Sequence, residues 1–426
     1  MTNSESVQIE FAAYIGLDWA DQHHDICLQE VGSRQTEATR IEHEPETLAA
    51  WVTQLRQRFQ GRPVAIALEQ SRGALIYALM RYDFIVLYPV NTNTLASYRA
   101  AFTPSGAKDD PDDAQLLLEV VSLHRNKLRP WKADDPLTRT IRLLSEHRRK
   151  LVDDRTRLTN RLRALLKQYF PQAITWIGDL DSLLAVDFLT RWPQLGYLQQ
   201  AAPEEVRRFY REHGRRLGEK LDQRLAEISA AQPLTTDQAV ITSSASMAQA
   251  LVKQLRELVE GIGQLDRQIQ DLYAQHPDAK IFGSLPGAGK ALAPRLLAAF
   301  GSDRRRYADA GEVQCYSGVA PVTKRSGKTK LIQRRYACPK FVRQSFHEFA
   351  KSSLNWSRWA RAYYDQQRQR GNKHHEAIRA LAFKWIRIIY PCWQLQAPYD
   401  EATYIKSLEL RGSPLAKLIE PEDAQT

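Results

Sequence analysis

The stretch Phe11-Ala-Ala-Tyr-Ile-Gly-Leu-Asp18 is an apolar run that ends in an acid, and it predicts a buried strand. A second such run, Val64-Ala-Ile-Ala-Leu-Glu69, also ends in an acid. A buried strand that finishes in a carboxylate is costly unless a cation or a hydrogen-bond donor satisfies that group. Open α/β sheets place their functional sites at the carboxyl ends of their strands. Asp18 and Glu69 are therefore the first candidate site residues.

Further strands and helices are predicted around these two strands. Residues 24–31 and 38–42 alternate well enough to continue a meander, and residues 84–88 predict another strand. Helices are predicted over residues 46–59, 73–82 and 92–101. Three successive strands followed by strand–helix alternation are typical of an α/β sheet with helices packed on it.

A third acidic segment, TPSGAKDDPDDAQLLLE at residues 103–119, places four aspartates around a proline and just before a helical run. Pro111 suits the first turn of a helix, where its missing N–H costs nothing. Asp110 and Asp113 then stand three residues apart, so their carboxylates can converge. Taken alone, the segment is equally consistent with a solvated acidic cap. Together with the two strand-end acids, it could hold two Mg²⁺ ions about 3.5–4 Å apart, which activates water or an alcohol for attack on a phosphodiester.

The 426-residue chain has the composition of a globular protein, with 43% hydrophobic residues, 26% charged residues and a net charge of +11. That charge favours a polyanionic partner such as nucleic acid, or an anionic membrane surface. Binding of Lys and Arg to phosphates releases counterions, which makes the binding free energy more favourable. No apolar run approaches the roughly 18 residues of a membrane span, and the first ten residues predict no secretory signal. Four widely separated cysteines predict neither a zinc site nor disulfides, which favours a reducing cytoplasm.

The middle of the chain carries two long heptad patterns, over residues 137–165 and 251–272. Apolar residues recur at alternating steps of four and three, although Arg148 and Arg155 occupy two positions of the first seam. Such patterns are typical of coiled-coil helices, paired with each other as an antiparallel hairpin or with another chain. Two ordinary amphipathic helices in a bundle are the alternative. Between the two patterns, residues 170–240 predict a small helical insertion.

Positive charge is concentrated in the last third, where residues 303–384 hold 19 Lys or Arg against 6 Asp or Glu. Interleaved aromatic side chains offer stacking faces beside these cations, which predicts a nucleic-acid surface. Upstream, Leu285-Pro-Gly-Ala-Gly289 is close to a phosphate-binding loop, but Ser284 replaces its first glycine and Ala291 its Mg²⁺-binding hydroxyl. We interpret it as the turn of a helix–hairpin–helix, whose glycines let backbone N–H groups approach a phosphate.

Two smaller predictions concern histidines and a proline. The pairs His23-His24 and His374-His375 lack acidic or thiol partners at ligand spacing and are predicted to lie at the surface. Residues 381–390 predict a packed helix that Pro391 ends.

Sequence motifs give the chain a family resemblance. Tyr14-Ile-Gly-Leu-Asp18, Leu68-Glu69 and Lys108-Asp-Asp-Pro-Asp-Asp-Ala114 resemble the DEDD tetrad of the RuvC-like domain in insertion-sequence-110 family transposases. That match implies a tetrad of Asp18, Glu69, Asp110 and Asp113, with Mg²⁺ as its cofactor. Residues 316–330, YSGVAPVTKRSGKTK, resemble the second domain of the same family, in which a serine-glycine pair follows a G-[LV]-[AT]-P turn. The matching serine is Ser326, and the resemblance implies that it is a nucleophile.

Basic residues surround this serine in the sequence. A serine hydroxyl is a weak nucleophile at neutral pH and needs a nearby base, metal or cationic field. By spacing alone, Ser326 is better explained as one more loop hydroxyl that contacts a phosphate. The neighbouring cations could hold the scissile phosphate and stabilise its transition state. The predicted nucleic-acid-binding residues are Lys324, Arg325, Lys328, Lys330, Arg334 and Arg335.

The resemblance implies an α/β RNase H/RuvC-like domain over residues 1–130, a helical coiled-coil middle over residues 131–280, and a mainly helical transposase domain with a helix–hairpin–helix-like element over residues 281–410, followed by a tail over residues 411–426. It implies a bacterial, cytoplasmic, nucleoid-associated recombinase that mobilises an insertion sequence. Its implied partners are donor DNA, target DNA and a bridge RNA, within a homo-oligomer (dimer or tetramer) and without a membrane. Two rival functions are a RuvC-like junction nuclease without a covalent intermediate and a non-catalytic DNA-binding protein.

Overall fold

The computed structural model describes residues 9–69, 72–102, 110–214, 218–327 and 329–419, without the side chains of Phe102, Asp110, Pro111 and Asp112. The chain divides into two compact units, Met1–Ala133 and Asp134–Thr426. The first unit combines a mixed sheet with helices, and the second is mainly helical. This agrees with the coarse fold class that the sequence predicts. The finer division into four segments stays a prediction.

The described part of the first unit is built on one five-stranded sheet. Its elements are β1 Ala13–Trp19, β2 His23–Glu30, β3 Thr36–Glu42, α1 Pro45–Arg58, β4 Val64–Leu68, α2 Ala74–Leu79, β5 Ile85–Pro89, α3 Thr92–Phe102 and α4 Asp110–His124, then a short 3₁₀ helix at Arg125–Lys127. The strand order is β3-β2-β1-β4-β5. β1 pairs antiparallel with β2 and parallel with β4, and β4 pairs parallel with β5. β3 is antiparallel to β2, so β2 alone runs opposite to the other strands.

Helices cover both faces of this sheet. Val64, Ile66 and Leu68 of β4 belong to the core on the face covered by α1 and α2, whereas Ala65 and Ala67 pack with α3 and α4 on the other face. A strand buried on both faces has apolar residues at every position, because neither face meets water. This is why β4 was recognisable as a continuous apolar run.

The second unit contains fourteen helices and one hairpin among its described residues. They are α5 Pro136–Tyr169, α6 Gln172–Ile177, α7 Leu183–Arg191, α8 Leu195–Gln200, α9 Pro203–Glu212, α10 Glu219–Ala230, α11 Gln238–Ala274, α12 Ala279–Gly283, α13 Gly289–Phe300, α14 Ala310–Tyr316, β6 Val322–Ser326, β7 Thr329–Gln333, α15 Lys340–Ser353, α16 Arg358–Gln369, α17 His374–Leu395 and α18 Glu401–Leu410, with a 3₁₀ helix at Ala416–Leu418. None of the helices in the described ranges is both long and apolar enough to cross a bilayer.

The two heptad patterns form α5 and α11, which pack side by side in antiparallel directions. Thr138 near the start of α5 bonds His276 just beyond the end of α11, with 2.8 Å between Oγ1 and Nε2. Further along both helices, Arg148 pairs with Asp266. This ion pair accounts for a charged residue at an apolar seam position. Coiled-coil geometry stays a prediction.

Two separate apolar cores lie at the two ends of this helix pair. The end of α5, including Leu162 and Leu166, packs with Leu251 and Leu255 of α11 and with α6–α10. The start of α5, at Ile141, packs instead with α12–α18. The predicted helical insertion therefore corresponds to α6–α10, which has its own core.

The glycine-rich turn at residues 284–288 connects α12 to α13, and the helix–hairpin–helix interpretation stays a prediction. Gly287 has φ +78°, and a Cβ at this position would lie 2.9 Å from Ser352 O and Trp356 Cδ1. Gly287 therefore allows close packing against the end of α15. A Cβ at Gly289 would meet open space, so only this second glycine leaves room for an external phosphate.

The predicted end of the C-terminal helix at residue 390 is wrong, because α17 continues to Leu395. Pro391 removes one helical hydrogen bond, which normally ends or kinks a helix. Beyond it, Trp393 is fully buried, and its indole N–H donates to Gly301 O at 3.0 Å. Burial of this ring stabilises the helical turn that follows the proline.

The predicted surface position is also wrong for His24, which is only 1% exposed. Its Nε2 lies 2.9 Å from His43 Nδ1. Burial, together with the neighbouring His43 and His23, lowers the pKa of His24 to about 4. His374 is half-buried and bonds the Tyr364 hydroxyl, whereas His375 is exposed.

Candidate active site

Asp18 and Glu69 lie at the ends of two adjacent parallel strands. β1 and β4 are in register with Leu17 opposite Leu68, so the residues that follow, Asp18 and Glu69, stand at the same level of the sheet edge. Both are half-buried. Neighbouring strands are about 4.8 Å apart, which is close enough for the two carboxylates to share one ligand.

A glycine in β1 allows helix α4 to pack closely on the sheet. A Cβ at Gly16 would overlap the carbonyl oxygen of Ala114, so α4 can approach β1 this closely only because position 16 is glycine. Side chains alternate along a strand, so Gly16 and Asp18 belong to the same face of β1. Asp113 immediately precedes Ala114 in α4. The close contact therefore brings the Asp113 turn of α4 to the face that carries Asp18.

A cation already contacts the Asp113 carboxylate. Asp113 is 8% exposed, and Arg99 of α3 forms a salt bridge with it. Nothing in the sequence pattern singles out Arg99, because it is one arginine on a short helix and its partner is fourteen residues away. Arg99 is therefore a functional candidate that only the fold reveals.

These residues suit a divalent cation by their donor atoms and their position. Carboxylate oxygens are the ligands that Mg²⁺ prefers. Asp18, Glu69 and Asp113 lie on elements that meet at one edge of the sheet. Within the described ranges, no group of three or more His, Cys, Asp or Glu side chains is already arranged to hold a metal ion. Asp110 begins α4, but its side chain lies outside the described residues.

Ser326 lies in the second unit, on the β6–β7 hairpin. It is the last residue of β6, it is exposed, and it pairs with Thr329 across the hairpin. Gly327, which follows it, has φ +54°, the conformation that two-residue hairpin turns require. The serine-glycine pair therefore places the hydroxyl directly beside the tip of an exposed hairpin. Lys328, the other turn residue, lies outside the described residues.

The hairpin register divides the predicted cations between two faces. Lys324 stands two residues before Ser326, so the two belong to the same face. Arg325 pairs with Lys330, and both belong to the opposite face. Of these three cations, Lys324 alone shares a face with the serine hydroxyl.

The last two predicted cations follow β7 and differ in their surroundings. Arg334 is exposed and lines a cavity beside α15. Arg335 is half-buried, and its Nη2 donates to Cys315 Sγ at 3.7 Å. Arg334 is therefore more accessible to an external anion than Arg335.

Comparisons with known proteins match both units. Residues 15–171 match a family model described as a transposase, and residues 279–365 match a model described as a transposase of the IS116/IS110/IS902 family. Together the two matches cover more than half of the chain.

Two curated relatives align over nearly the whole chain. The chain is 27% identical over 395 residues to the "Mini-circle putative transposase for IS117" of Streptomyces coelicolor, covering 91% of this chain and 95% of that protein. It is 28% identical over 419 residues to the "Insertion element IS110 uncharacterized 43.6 kDa protein" of the same species, covering 96% and 98% respectively. With both domain models matched in order along the sequence, the chain belongs to the IS110 family of transposases.

Proposed function

We propose that this transposase cleaves and rejoins DNA strands through a covalent phosphoserine intermediate at Ser326, and so mobilises an insertion sequence. The observation that carries the proposal is that β1, β4 and α4, the elements that carry Asp18, Glu69 and Asp113, come together at one sheet edge through the close contact at Gly16. The exposed position of Ser326 beside a basic hairpin tip supports its role as the nucleophile.

In fold terms, we propose that the first unit is an RNase H/RuvC-like domain. Its support is the strand order β3-β2-β1-β4-β5 with β2 alone reversed. We also propose that α5 and α11 form a coiled coil, which their antiparallel packing supports.

The proposed reaction is an exchange of phosphate esters that needs no oxidant or reductant. The Ser326 Oγ forms a bond to a DNA phosphorus, the bond from that phosphorus to one neighbouring nucleotide breaks, and the nucleotide leaves as a free hydroxyl. The proton lost by the serine equals the proton gained by the leaving oxygen. Attack by a strand hydroxyl on the phosphoserine then restores a DNA phosphodiester and the serine.

Residues of this chain supply charge where the reaction needs it. Lys324 shares a face with Ser326 and is placed to stabilise negative charge on the phosphate as the new bond forms. Arg325 and Lys330, on the opposite face, would contact flanking phosphates.

Asp18, Glu69, Asp110 and Asp113 would hold Mg²⁺, which when bound would polarise a phosphate and activate an attacking oxygen. Arg99 would have to leave the Asp113 carboxylate, or share it, when the ion binds.

We further propose donor DNA, target DNA and a bridge RNA as partners, with a dimer or tetramer to hold both DNAs, in the bacterial cytoplasm at the nucleoid. The net charge of +11, concentrated in the last third, supports polyanionic partners.

The test is to trap a protein–DNA adduct. The chain is incubated with Mg²⁺ and radiolabelled DNA that spans an end of the insertion element, then denatured and separated by size. We expect an adduct with the wild type, none with Ser326→Ala and much less with Asp18→Asn. Thr329→Ala, which removes the hydroxyl that faces Ser326 across the hairpin, is the matched control and should keep the adduct.

Each rival function predicts a different result. An adduct that survives Ser326→Ala would exclude this serine as the nucleophile. Cutting that depends on Mg²⁺ but leaves no adduct would support the junction nuclease. Tight DNA binding without cutting would support the non-catalytic protein.

A further inference from the structure

A cavity of about 520 Å³ opens in the second unit between α15, α17 and the end of the β6–β7 hairpin. Four cationic side chains line it, from three different parts of the sequence: Arg334, Lys340, Arg343 and Arg379. Arg334, Lys340 and Arg343 lie within ten residues of one another, and the fold brings Arg379 of α17 to the same cavity. The cavity also contains His347 and one carboxylate, Glu348.

The protein balances the charges of this cavity only in part, since Glu376 attracts Arg379 without forming a salt bridge with it. Glu348 Oε1 accepts from Arg149 at 3.0 Å and Oε2 accepts from Arg295 at 2.5 Å, so this carboxylate is already paired with two cations outside the group of four. Arg343 Nη1 donates to Cys338 Sγ at 3.4 Å. Among the described residues, none of the four lining cations forms a salt bridge with a carboxylate.

The cations are close enough to affect one another. Burial, then the nearby Arg334, lowers the pKa of Arg379, and Arg343 adds to the effect. Burial, then His375 and Arg379, lowers the pKa of His347 to about 4, so its ring is neutral at pH 7. Like charges held together in a half-buried site are costly unless an anion compensates them.

We infer that this cavity binds one backbone phosphate of the DNA strand that lies along the hairpin, and so fixes the position of that strand relative to Ser326. The inference rests on the proposed function for the identity of the strand. Guanidinium groups match phosphate because their fork of N–H donors can bond two oxygens at once. The neutral His347 can add one further N–H donor.

The hairpin sets the spacing between this anchor and the attacked phosphate. Thr329 stands opposite Ser326, and Arg334 follows it by five residues. At about 3.3 Å per residue, five residues of strand span roughly 17 Å. One DNA strand rises about 3.4 Å per nucleotide, so the anchored phosphate should lie roughly five nucleotides from the attacked one.

The lining also favours a backbone phosphate over a free nucleotide. No described lining residue is Phe, Tyr or Trp, so a nucleobase would find no large aromatic face on which to stack. The cavity instead offers donors for phosphate oxygens.

The first experiment tests the cavity without using the proposed reaction. Inorganic pyrophosphate is titrated into the full chain in a calorimeter. We expect saturable binding that falls about tenfold in Arg343→Gln and in Arg334→Gln, because each removes a charge-assisted contact. Arg411→Gln, an exposed arginine of the same unit, should bind as the wild type does. Melting curves of each variant exclude a folding defect, and Arg334 is exposed and can be replaced without disturbing a core.

The second experiment locates the phosphate on DNA. DNA spanning an element end is ethylated at random phosphates and bound by the Ser326→Ala chain, and the positions excluded from the bound fraction are mapped. We expect an interfering phosphate about five nucleotides from the site of the wild-type adduct. This interference should be absent with the Arg343→Gln/Arg379→Gln variant and retained with Arg411→Gln.

The possible outcomes separate this inference from the proposed function. Absence of pyrophosphate binding, or equal binding in all variants, would overturn the phosphate site. Pyrophosphate binding that depends on Arg343, together with no interfering phosphate on DNA that depends on Arg343 and Arg379, would overturn the assignment to DNA. Pyrophosphate binding that depends on Arg343, in a chain that forms no adduct, would support the cavity as a phosphate site while the proposed function fails.

Discussion

Replacement of Arg99 by glutamine should destabilise the first unit and, at the same time, increase its response to Mg²⁺. Asp113 is 8% exposed and pairs with Arg99, whose side chain is 21% exposed. Exposed ion pairs contribute less than about 1 kcal/mol, and truncation of one partner of a buried pair costs about 3–5 kcal/mol. This partly buried pair lies between those limits, so we expect a loss of about 2 kcal/mol in the free energy of unfolding without metal.

The same pair should weaken Mg²⁺ binding in the wild type, because the ion and Arg99 compete for one carboxylate. If Mg²⁺ binding costs the wild type the full 2 kcal/mol that the Arg99–Asp113 pair contributes, the variant should bind Mg²⁺ up to about thirtyfold more tightly. Mg²⁺ at ten times its Kd adds about 1.4 kcal/mol to the free energy of unfolding. The variant should therefore recover most of its lost stability at Mg²⁺ concentrations that leave the wild type unchanged.

The assay is urea unfolding of the full chain, followed by circular dichroism, with a chelator and then across a Mg²⁺ series. Arg56→Gln is the matched control, because Arg56 pairs with Asp83 in the same unit but both side chains are about half-exposed or more. We expect this control to lose no more than about 1 kcal/mol and to respond to Mg²⁺ as the wild type does. Equal Mg²⁺ stabilisation of the Arg99→Gln variant and the wild type would refute the competition.

Three further predictions concern packing, pH and helix structure. Gly16→Ala should destabilise the first unit by about 3 kcal/mol or more and abolish adduct formation, because its Cβ would overlap Ala114 O; an unaltered urea midpoint would contradict this. His24 has its pKa lowered to about 4 by burial, then by His43 and His23, so the unfolded chain binds a proton first and stability should fall as the pH drops from about 6.5 to about 4. A pH series of unfolding curves should be flatter for His24→Gln than for the wild type, and equal slopes would exclude this role. Pro391→Ala should raise the thermal midpoint, since it restores a helical hydrogen bond inside α17, and a lower midpoint would count against that reasoning.

Local patterns were enough to predict the sheet and its acidic ends. Each strand of the first unit lies within about three residues of its predicted range. β2 and β3 could be predicted because their residues alternate, and β4 because a strand buried on both faces is apolar throughout. Asp18 and Glu69 could be found because each interrupts such a run at its end. The approach of α4 could not be predicted, because it depends on the absence of one Cβ at Gly16 against a helix almost a hundred residues later.

Contacts between distant residues account for what the sequence did not show. Arg99 and Asp113 belong to different helices, and Arg334, Arg343 and Arg379 line one cavity although 45 residues separate the first from the last. The misplaced end of α17 has the same origin, since the local preference of Pro391 is outweighed by the burial of Trp393 against another helix. The burial of His24 also depends on a distant residue. The alternating pattern of residues 24–31 predicts a strand, but His24 is buried against His43, which lies beyond the next strand.

The helix pair α5 and α11 has a consequence for the way the second unit unfolds. Within α5, which is described throughout, the fully buried apolar residues are Ile141 at one end and Leu162, Leu166 and Tyr169 at the other. The 21 residue steps from Ile141 to Leu162 span about 32 Å of helix, and each end belongs to a different core. Loss of one core therefore need not remove the contacts of the other. Hydrogen exchange should reveal two cooperative regions in this unit, each with its own opening free energy. The middle parts of α5 and α11, which connect the two regions, should exchange at an intermediate rate.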